Sequence, residues 1–173
     1  GSPRILAIET SSRAGSVAIG LGAQLIRQID LPPRMRHAVE LMPAIRELLA
    51  EAKWAPRDLN HIYVSTGPGS FTGLRIAITI ARSLAQAVGA QTVAVPTLDA
   101  IALNAPADVQ NLAVILDAKR GQVFAARYAR RNGILVRTWG PGLIDPAYFV
   151  RETPVPLAVT GEGVDYHRVT LQA

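Results

Sequence analysis

Apolar residues change rhythm several times along this chain. From Arg4 to Glu9 they run almost without a break, Ile5, Leu6, Ala7 and Ile8. That is the pattern of a central strand covered on both faces. A polar turn follows over residues 10–15. Ser16 to Gly20 and Gln24 to Asp30 then read as two short strands separated by Leu21-Gly22-Ala23. Three antiparallel strands joined by tight turns are the expected opening. After Pro32-Pro33 the spacing lengthens and predicts a helix from Met35 to Ala52. Its rows Ala38, Leu41, Ile45, Leu48, Ala52 and Met35, Val39, Met42, Leu49 cover more than the single stripe of a surface helix. Pro43 inside it predicts a kink.

Ile62 to Val64 is a short strand that feeds the run Ser65-Thr-Gly-Pro-Gly-Ser-Phe-Thr-Gly-Leu-Arg75. The helix beyond, Leu74 to Val88, keeps its polar residues Arg75, Thr79, Arg82 and Gln86 on one narrow line. Apart from the small Ser83, the rest is apolar. Such a helix needs cover on two sides, supplied either by the first helix and the sheet or by a partner chain. Thr92 to Val95 reads as a strand, and Thr97 to Asn104 as a short helix capped by Thr97. The segment Asn104-Ala105-Pro106-Ala107-Asp108 reads as the domain boundary. It gives domains 1–106 and 107–173. Beyond it, Asn111 to Leu116, Gln122 to Tyr128 and Ile134 to Trp139 read as strands. Asn132-Gly133 is the hairpin turn between the last two. Pro146 to Glu152 is a short helix and Val155 to Val159 a last strand. The order β-β-β-α-β thus starts twice, which suggests a duplicated architecture.

Composition narrows the class. The chain has 173 residues, 49% hydrophobic and 18% charged, which describes a folded globular protein. No apolar run reaches the ~18 residues of a membrane span, and no secretory leader is evident. With no cysteine, thiolate metal sites and thiol nucleophiles are excluded, and a cytoplasmic location is expected. The net charge is +5; two of the 18 basic residues are lysine, Lys53 and Lys119, and the other 16 are arginine. Arginine suits phosphates and carboxylates, but no basic run exceeds two residues, so contact with nucleic acid is only weakly indicated.

Candidate chemistry gathers at three places. The glycines of Gly67-Pro68-Gly69 suit a close backbone approach, to a ligand or to another chain segment. At a helix N-terminus such a loop can hold a phosphate, although it matches neither the Walker nor the dinucleotide pattern. Glu9, Thr10 and Ser11 follow the first strand and could hold a phosphate-bound Mg²⁺, or simply make the turn. Asp117 ends a strand and either faces a cleft or bonds its own hairpin turn. His37, His61 and His167 are far apart in sequence, and no His-Glu-x-x-His or G-x-S-x-G motif is present.

Three segments together resemble one family. They are Ile5-Leu6-Ala7-Ile8-Glu9-Thr10, Gly67-Pro68-Gly69-Ser70-Phe71-Thr72-Gly73-Leu74-Arg75, and Leu116-Asp117-Ala118-Lys119-Arg120-Gly121-Gln122-Val123-Phe124. With Val95-Pro96-Thr97-Leu98-Asp99 at a strand-to-helix turn, the chain is similar to the bacterial TsaB, or YeaZ, family over essentially its whole length. The resemblance implies an actin-like ATPase (ASKHA) fold, α/β, with two related lobes built on mixed sheets. It implies a non-catalytic scaffold in the synthesis of threonylcarbamoyladenosine at position 37 of tRNA. The implied partners are a TsaD-type catalytic subunit, a TsaE-type ATPase and, through the complex, tRNA. Alone, a homodimer is implied. Pairing would use the first two helices, here Met35–Ala52 and Thr72–Val88, through Leu41, Ile45, Leu48, Ile78, Ala81, Leu84 and Ala85.

The resemblance implies no required cofactor, with weak ATP or ADP binding and Mg²⁺ at Glu9, Thr10, Ser11, Gly67, Gly69 and Asp117 as the ligand expectation. TsaD-like subunits hold a metal with H-x-x-x-H. This chain has His37-Ala38-Val39-Glu40-Leu41 there, so no metal and no peptidase chemistry is expected. The chain departs from the family at Glu9 for Asp, Gln122 for Glu and Phe124 for Tyr. It ends ten residues after Gly163, where family members continue, so an incomplete second lobe is expected. The alternative function is an ATPase or kinase of the same fold, using Glu9, Thr10, the glycine loop and Asp117.

Overall fold

The computed structural model describes residues 1–12, 14–32, 37–153 and 157–171. The chain divides into two compact units, Gly1–Val95 and Pro96–Ala173. Among the described residues no helix is long and apolar enough to cross a membrane.

The first unit holds β1 (Arg4–Glu9), β2 (Ser16–Leu21), β3 (Gln24–Asp30), α1 (His37–Glu51), a 3-10 turn (Pro56–Asp58), β4 (His61–Ser65), α2 (Phe71–Val88) and β5 (Gln91–Val95). Its sheet runs β3-β2-β1-β4-β5. The opening three strands are antiparallel, while β4 and β5 join parallel. One sheet face carries Leu6, Ile8, Val17, Ile19, Ile62 and Val64. These pack in a single core with Leu41, Ala44, Ile45, Leu48 and Leu49 of α1 and Ala77, Ala81 and Ala85 of α2. In β1 only Leu6 and Ile8 are buried, and Ile5 and Ala7 keep some exposure. The expected two-sided cover is therefore a one-sided alternation. The small residues Gly73, Ala77, Ala81 and Ala85 recur every four positions and form the buried stripe of α2. Their size lets the helix backbone lie close to the sheet. Ser70 caps α2 by accepting from the Gly73 N–H, and Gly89, left-handed at φ 77°, ends it. α1 continues through Pro43; the expected start at Met35 lies outside the described residues.

The second unit holds α3 (Thr97–Ala102), β6 (Asn111–Asp117), β7 (Val123–Arg131), β8 (Ile134–Ile144), α4 (Pro146–Arg151), β9 (Ala158–Thr160) and α5 (Gly163–Leu171). Its sheet runs β8-β7-β6-β9, with β9 parallel to β6. β6 is buried along its whole middle. Leu112, Val114 and Leu116 pack with Leu98 and Ala102 of α3, while Ala113 and Ile115 pack with Phe149 of α4 on the other face. The units divide at Val95/Pro96 rather than at 106/107, because α3 packs on the second sheet. The order β-β-β-α-β-α with strands 3-2-1-4 occurs in both units.

Three local expectations differ from the structure. Pro96, not Thr97, occupies the cap position of α3; the Thr97 side chain is buried with its hydroxyl unbonded. The last strand is Ala158–Thr160, and the expected start at Val155 lies outside the described residues. α5 was not expected at all. The β7–β8 turn is pinned by Arg130, which donates to the carbonyls of Val109, Gly133 and Pro106.

Candidate functional site

In the first unit β1 ends at Glu9 and β4 at Ser65, on neighbouring parallel strands. The loops that leave these two ends meet. Ser70 N–H donates to the Ser11 carbonyl at 2.5 Å, and the Thr10 hydroxyl donates to the Gly73 carbonyl at 2.8 Å. Thr10 and Ser11 are buried by this contact. A Cβ at Gly69 would overlap the Ser11 carbonyl, and one at Gly73 would overlap the Thr10 carbonyl. Gly67, at φ 99°, sits against Leu74. Glu9 turns back on its own loop and accepts from the Ser11 N–H at 2.5 Å.

The structure thus brings Glu9, Thr10, Ser11, Gly67 and Gly69 into one loop pair. It also shows what the glycines approach, which is another chain segment. The N–H groups of Ser70 and Gly73 bond to Ser11 and to the Ser70 hydroxyl. Two donors that a bare glycine loop would offer an anion are therefore engaged within the chain.

Asp117 belongs to the second unit, at the end of β6. Lys119 donates to it twice, Nζ to Oδ2 at 2.7 Å and N–H to Oδ1 at 3.3 Å. His167 Nε2 of α5 lies 3.4 Å from Oδ1. Asp117 bonds its own turn, as Glu9 does: each carboxylate closes the first strand of its unit and accepts from the residue two ahead. The Lys119 ammonium lowers the Asp117 pKa below its ordinary value; burial opposes this, and the Lys119 N–H and His167 act with the ammonium. A carboxyl depressed in the folded state stabilises fully above its unfolded value, about 3.9, and loses that contribution as pH falls through the folded value. Acid unfolding should therefore be less steep in Asp117→Asn than in wild type, measured as the melting temperature between neutral pH and pH about 3.

The residues expected at a helical interface separate into two sets. Leu41, Ile45, Leu48, Ala81 and Ala85 are buried in the first unit's own core. Ile78 and Leu84 are partly buried against it, as are Ile76 and Ile80. A different face of α2 is open: Phe71, 73% exposed, with Thr72, Arg75, Ile76, Thr79 and Ile80, which line a groove. On α1, Val39 is 71% exposed. Part of this arrangement was legible from the spacing of Gly73, Ala77, Ala81 and Ala85. A stripe of small residues marks the face that meets a sheet; the opposite line is the exposed row Arg75, Thr79, Arg82 and Gln86, and Ile76 and Ile80 flank it.

Comparison with known proteins fits this geometry. The family model described as TsaD, tRNA N6-adenosine threonylcarbamoyltransferase, matches residues 33–165. The chain is 33% identical over 171 residues to the Bacillus subtilis tRNA threonylcarbamoyladenosine biosynthesis protein TsaB, covering 97% of this chain and 75% of that one. It is 35% identical over 134 residues to Escherichia coli TsaB, covering 76% of this chain and 58% of that one. The solved structure of YeaZ from Pseudomonas aeruginosa superposes with a TM-score of 0.82 at 29% identity, covering 96% of this chain and 79% of that one. The chain thus spans between a little over half and about three quarters of the length of these TsaB relatives. The two mixed sheets are those of the actin-like ATPase type of fold, and the chain belongs to the TsaB (YeaZ) family.

Proposed function

We propose that the protein is a non-catalytic, cytoplasmic subunit in the synthesis of threonylcarbamoyladenosine in tRNA. It pairs with a TsaD-type catalytic subunit and supports assembly with a TsaE-type ATPase. It meets tRNA through the complex and pairs with itself when no partner is present. The observation that carries this reading is the groove along α2, where the exposed Phe71 meets the partly buried Ile76 and Ile80 beside a helix face used by the core. An apolar groove along one helix is what a helix-to-helix contact fills.

A non-catalytic role is supported by the loop contacts. The backbone that could cradle a phosphate is packed against Thr10 and Ser11, and Asp117 is held by Lys119. No nucleotide or Mg²⁺ is required in this role.

Light-scattering mass after size exclusion tests the reading. Alone the protein should run as a dimer, and with an equal amount of the TsaD-type subunit as a one-to-one heterodimer. A monomer that ignores the partner would remove the support for pairing through α2.

A further inference from the structure

We propose that the second unit binds a small organic monocarboxylate, held by Arg127 in a cavity beside Trp139. This site is independent of α2 and of the pairing reading. The cavity measures about 300 Å³, near the lower end for small-molecule sites. Asn111, Arg127, Thr138, Trp139, Thr153 and Leu157 line it, and Arg127 is the single charged residue among the described residues of the lining.

Arg127 breaks an apolar row. Val123 and Ala125 lie on the same face of β7, four and two residues earlier, and both are fully buried. Arg127 is only partly exposed, and its Nε is buried without an acceptor. Among the described residues no carboxylate pairs with it. A cation drawn out of water without a counter-charge is unfavourable, and an anion supplied from outside relieves it.

The guanidinium is also held ready for a planar anion. It lies over the Trp139 ring at 5.0 Å and the Phe149 ring at 5.7 Å, and Nη1 donates to the Glu152 carbonyl at 2.8 Å. Two rings and one carbonyl fix its plane. None of them neutralises its charge, and the Nη2 edge is left for a carboxylate oxygen. The walls select the rest of the ligand. Trp139 and Leu157 are apolar and pack on the cluster around Phe149. The Thr138 hydroxyl donates to the Arg127 carbonyl at 3.2 Å, and the Thr153 hydroxyl to the Phe149 carbonyl at 2.5 Å. Both hydroxyl protons are thus committed within the chain. A phosphate dianion calls for more donors or a second cation, whereas one guanidinium suits a singly charged carboxylate. The body behind that carboxylate is short and apolar, lying against the Trp139 ring.

NMR titration of the isotope-labelled full chain tests this, with benzoate as the probe, benzyl alcohol as its neutral counterpart and inorganic phosphate as the competing anion. Benzoate should shift the Trp139 indole N–H and the Arg127 Nε–H saturably, and leave the Trp54 indole of the first unit unmoved. Benzyl alcohol and phosphate should each bind at least about tenfold more weakly. Arg127→Met removes the charge and fills the space with an unbranched apolar chain, so it should stay folded and lose benzoate affinity by about tenfold or more. Equal binding of benzoate and benzyl alcohol by wild type would overturn the role of the cation, whether or not the variant folds. Unchanged benzoate binding by a folded Arg127→Met would remove Arg127 as the anchor. Phosphate bound as tightly as benzoate would overturn the carboxylate assignment, and no saturable shift at Trp139 with any of the three would overturn the site itself.

Discussion

Gly73→Ala should destabilise the first unit by about 3 kcal/mol or more, seen as a fall in melting temperature of more than about 10 °C. The added methyl would overlap the Thr10 carbonyl, which is backbone and cannot swing aside. The same shift would break the hydrogen bond from the Thr10 hydroxyl to the Gly73 carbonyl and strip a buried polar group of its partner. Gly89→Ala is the comparison. That glycine is left-handed at φ 77° but has nothing within 4 Å of its Cβ position, so the cost should be only about 1 kcal/mol. The contrast separates two uses of a glycine loop. If Gly73 served a ligand, its alanine variant would melt normally and lose only binding. If it serves the fold, the variant loses stability with no ligand present.

The need for that close approach was legible in the sequence, but its partner was not. Three glycines around a helix start announce a tight backbone contact, yet the contacting residues, Thr10 and Ser11, lie some sixty positions earlier. No local pattern links the two. The same limit explains α3. Its residues read as a helix ending the first domain, and only the burial of Leu98 and Ala102 against β6 and β7 assigns it to the second unit. β6 was readable as a strand, and its continuous burial follows from helices on both faces. β1 carries a similar run, yet buries only Leu6 and Ile8. An unbroken apolar run therefore identified a strand without identifying how many faces were covered. α5 has no helical signature in the sequence because Tyr166, His167, Arg168 and Thr170 interrupt its apolar spacing, and its backbone departs from helical geometry at His167.

The interface residues show a sharper form of the same limit. Leu41, Ile45, Leu48, Ala81 and Ala85 are apolar, and apolar residues on a helix serve core and interface alike. The structure distinguishes them by exposure, which makes a paired prediction. Ala81→Glu should prevent the first unit from folding. It places a carboxylate at a fully buried position within an apolar cluster of Leu, Ile, Val and Ala side chains, a cost of several kcal/mol. Ile80→Asp, one position along, should stay folded, because Ile80 is only partly buried and turns toward the groove. Its cost should be about 1–3 kcal/mol, while its pairing with a TsaD-type subunit should be lost. Circular dichroism and light scattering read the two effects separately. A folded Ala81→Glu would show that α2 does not pack on the sheet through its small-residue stripe. A folded Ile80→Asp that still pairs would move the docking surface off this face of the helix. The expected outcome, unfolding in one and loss of partner in the other, would place the boundary between core and interface at a single step along α2, between residues 80 and 81.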